Sequence, residues 1–274
     1  MEIHFIDVGC GNMTLIRFPN GRTYLYDCNI TNDNEGRVVA YLDKAMAERR
    51  NIDTFICSHR DADHVRGIKT IHAIFPIGKI EDPDVPGTTT DSPEYRAYMD
   101  LRRQIPCGTI KGQTYNTVGE AVVRYMNAAS PDMSDANDQS IVLKIEYKGS
   151  SALLAGDTSF KPWKEKVLPF YSDSPGKLQA NILLAAHHGS LSFFDDPGDE
   201  RNYYTAHIRA IKPAMTLISV GPNTFGLPDD KAVELYEKNS AGSDQGKKVF
   251  RTDTNGNMKL TLKGSGAWSL ESER

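Results

Sequence analysis

The 274-residue chain has no long apolar run, no internal repeat, no low-complexity tract and no surplus of positive charge. A membrane-spanning helix needs about 20 predominantly apolar residues, so no span is expected. The chain opens directly on the strand-like run Glu2-Ile3-His4-Phe5-Ile6-Asp7. No secretory signal is therefore expected, and the reading is of a cytoplasmic protein without membrane contact. Net charge is -4, from 32 basic and 36 acidic residues, so no global field draws in nucleic acid. That weighs against a nuclease gripping long DNA, because such proteins neutralise many phosphates. The four cysteines, Cys10, Cys28, Cys57 and Cys107, show no paired CxxC spacing. They are expected to be reduced, mainly buried thiols. No Gly-x-Ser-x-Gly elbow is present, which leaves Ser-His-Asp catalysis unsupported. Gly9-Cys10-Gly11 lacks the third glycine of a dinucleotide loop. A hydrophobic share of 39% and a charged share of 25% are ordinary for a globular protein with a sizeable core.

What the chain does contain is a dense group of metal ligands. In Ser58-His59-Arg60-Asp61-Ala62-Asp63-His64, four ligand-bearing residues fall within six positions. Carboxylates and imidazoles so crowded compete unless a shared cation neutralises them. In an extended loop alternate side chains point the same way, so His59, Asp61 and Asp63 converge and His64 reaches a neighbouring point. The competing explanation is a polar turn capping a helix near His64, but such turns rarely carry two His and two Asp together.

Two later segments supply what one loop lacks. The apolar run Ala152 to Ala155 ends in Gly156-Asp157, and Asn181 to Ala186 ends in His187-His188-Gly189-Ser190. Functional groups in α/β sheets gather at such strand ends. Gly-Asp alone is equally a turn signal.

Strand signals fall at Glu2 to Asp7, Met13 to Phe18, Thr23 to Asp27, Ile52 to Cys57, Ala121 to Met126, Ser140 to Tyr147 and Ala152 to Ala155. Gly36 to Arg50 reads as an amphipathic helix, with Val38, Val39, Leu42, Ala45 and Met46 on one face. Helices are also expected over Val65 to Ile74, Tyr203 to Ile211 and Asp229 to Asn239. The amides at the start of Val65 to Ile74 would favour an anionic substrate. Lys148-Gly149-Ser150 reads as a hairpin turn, and Asn255-Gly256, between Val249 to Thr252 and Met258 to Leu262, as another. Residues 80–108 carry four prolines and read as an insertion with a short helix around Glu94 to Arg103. Tyr95, Arg96, Tyr98, Arg102 and Arg103 would form either a substrate-facing lip or a solvated helix face. Lys161, Trp163, Lys164 and Lys166 fit a solvated helix edge better than a nucleic-acid platform. His4, His72 and His207 read as ordinary surface or partly buried residues.

The run His59-x-Asp61-x-Asp63-His64 resembles the metal-binding signature of the metallo-β-lactamase superfamily, usually His-x-His-x-Asp-His. Phe5 to Asn12, Tyr24-Leu25-Tyr26-Asp27, Asn137 to Leu143, Leu154 to Asp157, His187 to Ser190, Ser219 to Asn223 and Arg251-Thr252-Asp253 are similar to one branch. That branch is the soluble hydrolase domain of ComEC-like DNA-internalisation competence proteins. The resemblance runs in order from Ile3 to Leu262. With the order of elements, it implies an α/β fold, a four-layer αββα sandwich of two mixed sheets, as one domain over residues 1–274.

The resemblance also implies two divalent cations, Zn2+ or Mn2+, roughly 3.5–4 Å apart. Asp157 would bridge them by family position. His59 and Asp61 would serve one, Asp63 and His64 the other. One of His187 and His188 would complete a shell, with His188 favoured, while the other faces substrate or solvent. Asp63, His187 and His188 are the candidate catalytic residues, through a metal-bound hydroxide. Asp27 is expected to orient a ligand by a hydrogen bond. Ser190 would either bind a phosphate or cap a short helix.

Three departures stand out. Asp61 replaces a second His, Asn137 or Asp138 falls where many members carry another His, and Leu227 precedes Pro228 where the branch commonly has His. The first two favour harder cations such as manganese without excluding zinc. The expected function is hydrolysis of a phosphodiester in a nucleotide, cyclic nucleotide or nucleic acid. The alternatives are hydrolysis of a lactone, thioester or other carboxylic ester, or a binding or regulatory module with a weakened metal site.

Overall fold

Period-two alternation in the N-terminal strands decides which way each side chain faces. Ile3, Phe5, Ile16, Tyr24, Tyr26 and Ile56 point into one buried cluster, while Leu15, Leu25 and Phe55 point into another on the opposite face. The computed structural model describes residues 1–127, 133–198, 202–242 and 246–274. Among them one sheet has eight strands, in the spatial order Trp268–Ser272, Met258–Leu262, Glu2–Phe5, Thr14–Arg17, Thr23–Tyr26, Thr54–Ile56, Ile80–Asp82 and Cys107–Thr109. The second has seven, in the order Val249–Arg251, Met215–Ile218, Ile182–Leu184, Ser150–Leu154, Val142–Tyr147, Ala121–Asn127 and Thr114–Val118. Both sheets are mixed, and each parallel portion is buried by helices as parallel sheets require.

The two sheets pack face to face. Ile3, Phe5, Tyr26 and Ile56 meet Val123, Tyr125, Leu143, Ile145, Leu154 and Leu184 between them. Helix Glu35–Met46 buries Val38, Leu42, Ala45 and Met46 against the outer face of the first sheet, joined by Ile68–Ile74 and Pro93–Arg102. Ala206–Ile211 and Asp230–Asn239 cover the second sheet, with Trp163 wholly buried beneath them. This is the expected αββα sandwich. No helix among the described residues is long and apolar enough to cross a membrane.

Hydrogen bonds join the sheets where the chemistry will sit. Tyr26 Oη donates to the Ile141 carbonyl at 2.7 Å, and the Ile141 amide donates to the Ser58 carbonyl at 2.9 Å. The Tyr125 hydroxyl donates to Glu81.

Several expectations fail for tertiary reasons. Asn255-Gly256 is not a hairpin: Val249–Arg251 pairs parallel to Met215–Ile218 in one sheet, whereas Met258–Leu262 pairs with Glu2–Phe5 in the other. A helical turn, Thr252–Asn255, carries the chain across. The expected helix over Val65 to Ile74 is two pieces, Ala62–Val65 and Ile68–Ile74, separated at Gly67, whose φ is +72°. A side chain there would meet Ile30 Cβ at 2.3 Å. Tyr98 and Arg102 do not form a lip: Tyr98 Oη and Arg102 Nε both donate to buried Asp82, at 2.7 and 2.9 Å. Residues 80–108 contribute the strand Ile80–Asp82, most of the edge strand Cys107–Thr109 and this inward-facing helix. Cys107 is exposed and Cys10 half-buried, so only Cys28 and Cys57 are buried as expected. His4 and His207 are also buried.

His207 Nε2 donates to the Phe193 carbonyl at 2.8 Å, and burial pushes its imidazole down to about 3. The unfolded chain binds a proton below about pH 6.5 that the folded chain refuses, so stability falls with pH between those values. The slope from one such group is about 1.4 kcal/mol per pH unit. Urea denaturation from pH 6.5 to 4.5 is expected to show a shallower loss in His207→Gln than in the unsubstituted protein. Equal slopes would contradict the assignment.

Candidate metal centre

Three chain segments leave strand ends and meet at one end of the sandwich. After Thr54–Ile56 the backbone bends at Ser58 and His59, is extended at Asp61, then turns helical over Ala62–Val65. Asp63 and His64 therefore reach the site from a helical turn, not from the continuous extended loop that alternation suggested. After Ser150–Leu154, Gly156 at φ +58° turns the chain so that Asp157 follows. A Cβ on Gly156 would lie 2.7 Å from Ser140 Cβ, so the position has no room for a side chain. After Ile182–Leu184, His187, His188 and Gly189 all take left-handed backbone, at φ 47°, 54° and 85°. For a non-glycine residue this costs on the order of 1–2 kcal/mol. Backbone bonds hold it: His187 N to Gly156 O at 3.0 Å, Ser190 N to His187 O at 2.9 Å and Asp229 N to Gly189 O at 3.0 Å. The result buries His188 and leaves the His187 side chain 31% exposed.

Asp157 lies at the centre. Its Oδ1 is 3.2 Å from His64 Nε2, and its Oδ2 is 3.6, 3.8 and 4.0 Å from Nε2 of His188, His187 and His59. Asp63 Oδ2 is 3.1 Å from His188 Nε2 and 3.8 Å from His64 Nε2. Donor atoms of Asp63, His64, Asp157 and His188 all fall within 4.8 Å of one another. Asp61 stands aside from this foursome, 3.7 Å from His59 Nε2, with Thr88 donating to both of its oxygens.

The other face of each buried ring is tied down. His64 Nδ1 lies 2.8 Å from Asp27 Oδ2, and His188 Nδ1 donates to the Ser219 carbonyl at 3.0 Å. His59 Nδ1 is 3.1 Å from Ser58 Oγ and 3.3 Å from Ser140 Oγ. A ring whose Nδ1 is engaged as donor presents the Nε2 lone pair when neutral, the usual arrangement behind a metal-ligating histidine. Asp27 is fully buried and also accepts from the Ser58 amide at 2.7 Å, Ser58 Oγ at 2.8 Å and Asn12 Nδ2 at 3.2 Å. Ser140 additionally accepts from the Asp157 amide at 3.1 Å. Ser58, Ser140, Ser219 and Asn12 carried no ligand signal of their own. Only their position beside the quoted segments pointed to them.

Other candidates are placed elsewhere. Asn137 acts through its backbone, its carbonyl accepting from Ser140 N at 2.9 Å. Ser190 Oγ caps the turn Leu191–Phe193, accepting from Ser192 N at 3.2 Å. Leu227 packs against the second sheet's outer cluster. Trp163 is buried with its indole donating to Thr158, which removes the aromatic member from any surface platform.

The donor set fits divalent cations. His64 Nε2 is buried with no hydrogen-bond partner, although Asp157 Oδ1 is 3.2 Å away. A buried, unpartnered nitrogen aimed at a carboxylate is suited to ligate a cation. Burial would lower His64 and His188, but Asp157 and the other carboxylates outweigh it and hold both imidazoles above their usual range. Burial would likewise raise Asp63 and Asp157, yet the same histidines keep both carboxyls well below theirs. His59 moves the opposite way, lowered by burial and by His64. The charged forms of His64 and His188, paired with Asp157 and Asp63, are thus favoured.

Binding a cation must strip the protons from His64 and His188. Calorimetric titration with Mn2+ near pH 7, in two buffers of different ionisation enthalpy, is expected to report net proton release, and affinity should weaken as pH falls. Buffer-independent heats would contradict this charge state.

Comparison with known proteins identifies the family and the fold. The chain is 22% identical to ComE operon protein 3 of Bacillus subtilis (strain 168) over 96% of its length, and 24% identical to competence protein ComA of Neisseria gonorrhoeae over 93%. It spans about a third of each of those proteins, 33% and 31%. A solved diphosphatase from the PhnP family shares the fold at TM-score 0.54 and 13% identity, with 96% of this chain and 98% of that one covered. The competence-protein resemblance is thereby borne out. The model of the metallo-β-lactamase superfamily matches residues 6–193, from the first buried turn to the far side of the histidine pair, and the chain belongs to that superfamily.

Proposed function

We propose that this protein is a metal-dependent phosphodiesterase acting on a nucleotide, cyclic nucleotide or nucleic acid. The observation that carries the reading is the donor set: three carboxylates, Asp61, Asp63 and Asp157, share the centre with His59, His64, His187 and His188. Oxygen-rich sites suit manganese and iron as well as zinc. Asp63, His64, Asp157 and His188 would hold one cation, and His59 and Asp61, with Asp157 between, a second. When bound, such ions lower the pKa of water and neutralise charge on a phosphoryl oxygen.

The chain's own residues then have separable tasks. Asp27, through His64, and the Ser219 carbonyl, through His188, keep two rings facing the centre. His187, partly exposed beside Asp157, is the histidine free to donate a hydrogen bond to a substrate oxygen or a departing alkoxide. The diphosphatase that shares the fold is consistent with a phosphate-containing substrate. Asp61 in place of a histidine argues against the lactam reading.

The test is hydrolysis of bis-p-nitrophenyl phosphate with Mn2+ or Zn2+. Asp157→Ala is expected to lower kcat/KM about a thousandfold, roughly 4 kcal/mol of transition-state stabilisation. Asp27→Asn, which only touches a ligand, is expected to cost about 10- to 100-fold. Full metal loading with no turnover of any phosphodiester would instead favour a binding module, the reading that Leu227 in place of a histidine keeps in play.

A further inference from the structure

Asp61 is the one carboxylate of the metal run whose two oxygens are both occupied by a single distant residue. The Thr88 amide donates to Oδ1 at 2.5 Å and the Thr88 hydroxyl to Oδ2 at 2.7 Å. Oδ2 is also the oxygen facing His59 Nε2, at 3.7 Å. Thr88 belongs to the irregular loop between Ile80–Asp82 and Pro93–Arg102, and that loop lies directly on the metal run. A Cβ on Gly87 would meet Asp61 Oδ1 at 2.6 Å and the Arg60 carbonyl at 2.7 Å, so the contact admits no side chain. The loop's base is anchored as well. Arg60 is buried, and its guanidinium donates to Asp82 at 3.0 Å and to Asp84 at 3.0 Å. Arg102 reaches the same two carboxylates, at 2.9 and 2.7 Å.

The other carboxylates are held differently. Asp63 and Asp157 meet histidines of the centre itself. The histidines of both halves are braced by the core, through Asp27, Ser58, Ser140 and Ser219, whereas Asp61 alone is held by a surface loop through Thr88.

We infer that Thr88 is a positioning residue that orients Asp61, so that this loop sets the occupancy of the His59–Asp61 cation position without affecting the other. The inference rests on the two-cation reading above. A carboxylate pinned by two donors keeps one lone pair per oxygen available and loses the freedom to swing away. Removing the hydroxyl frees Oδ2 to rotate, at the entropic expense of ligation, while the amide bond to Oδ1 survives. Thr88 is exposed and packs into no core, so its side chain contributes little to folding.

The experiment is manganese binding at controlled free Mn2+, read as ions per chain by elemental analysis and as stepwise affinities by calorimetry. It compares the unsubstituted protein, Thr88→Val (same shape, no donor) and Thr88→Ser (donor kept). Thr88→Val is expected to weaken the second, looser ion about 10- to 100-fold, leaving the tighter ion and the metal-free melting temperature unchanged. Thr88→Ser is expected to restore both affinities. Two ions bound with equal affinities in Thr88→Val and the unsubstituted protein would overturn the role given to Thr88 alone, as would parallel loss of both ions. An unsubstituted protein that never takes up a second ion would overturn the two-cation reading and this inference together.

Discussion

A buried carboxylate within 4.0 Å of four imidazole nitrogens is the interaction on which the rest of this molecule depends. Asp157 could not stay ionised there without compensating positive charge, and His64 and His188 could not stay protonated without it. Each group's departure from ordinary titration is caused by the others. Divalent cations would relieve the arrangement by taking over the role of the protons. The surrounding scaffold follows from this need: Asp27, Ser58, Ser140 and Ser219 all serve to keep rings turned inward.

Backbone conformation shares the work. Two consecutive histidines in left-handed geometry are unfavourable in isolation, and they persist because bonds from Gly156, Ser190 and Asp229 over-determine the turn. The turn separates neighbouring residues into unlike roles, one buried behind a fixed ring and one partly open to solvent. Asp27 is likewise left-handed, at φ 59°, where it accepts four hydrogen bonds from Ser58, Asn12 and His64.

The strand ends that deliver His59 and His188 were legible because each is an apolar run followed by a cluster of ligand types, whereas Gly156-Asp157 alone reads as a turn and Asp157 was singled out by the family resemblance. The sandwich was legible for the same reason: period-two patterning in Glu2–Phe5 and Thr14–Arg17 and the apolar stripe of Glu35–Met46 state which faces are buried. The Asn255-Gly256 turn misled because its dipeptide is compatible with a hairpin and only pairing partners remote in sequence decide otherwise. Tyr98 and Arg102 misled in a similar way, since an amphipathic pattern does not say that the buried face holds an ion network around Asp82. Thr88 gave no signal, being one threonine among three in a proline-rich stretch.

Local chemistry written into the chain thus determined the ligand types, their order and the layers that carry them, because side-chain period and strand-end turns are short-range properties. Which nitrogen of each histidine faces the centre, that Asp61 is held by Thr88, and that Asp157 touches every histidine of the pair and the run were decided only by folding. Those relations join residues more than 25 positions apart: parallel strand pairing within each sheet brings His64 to Asp27 and His187 to Asp157, and the packing of one sheet on the other brings His59 to Asp157.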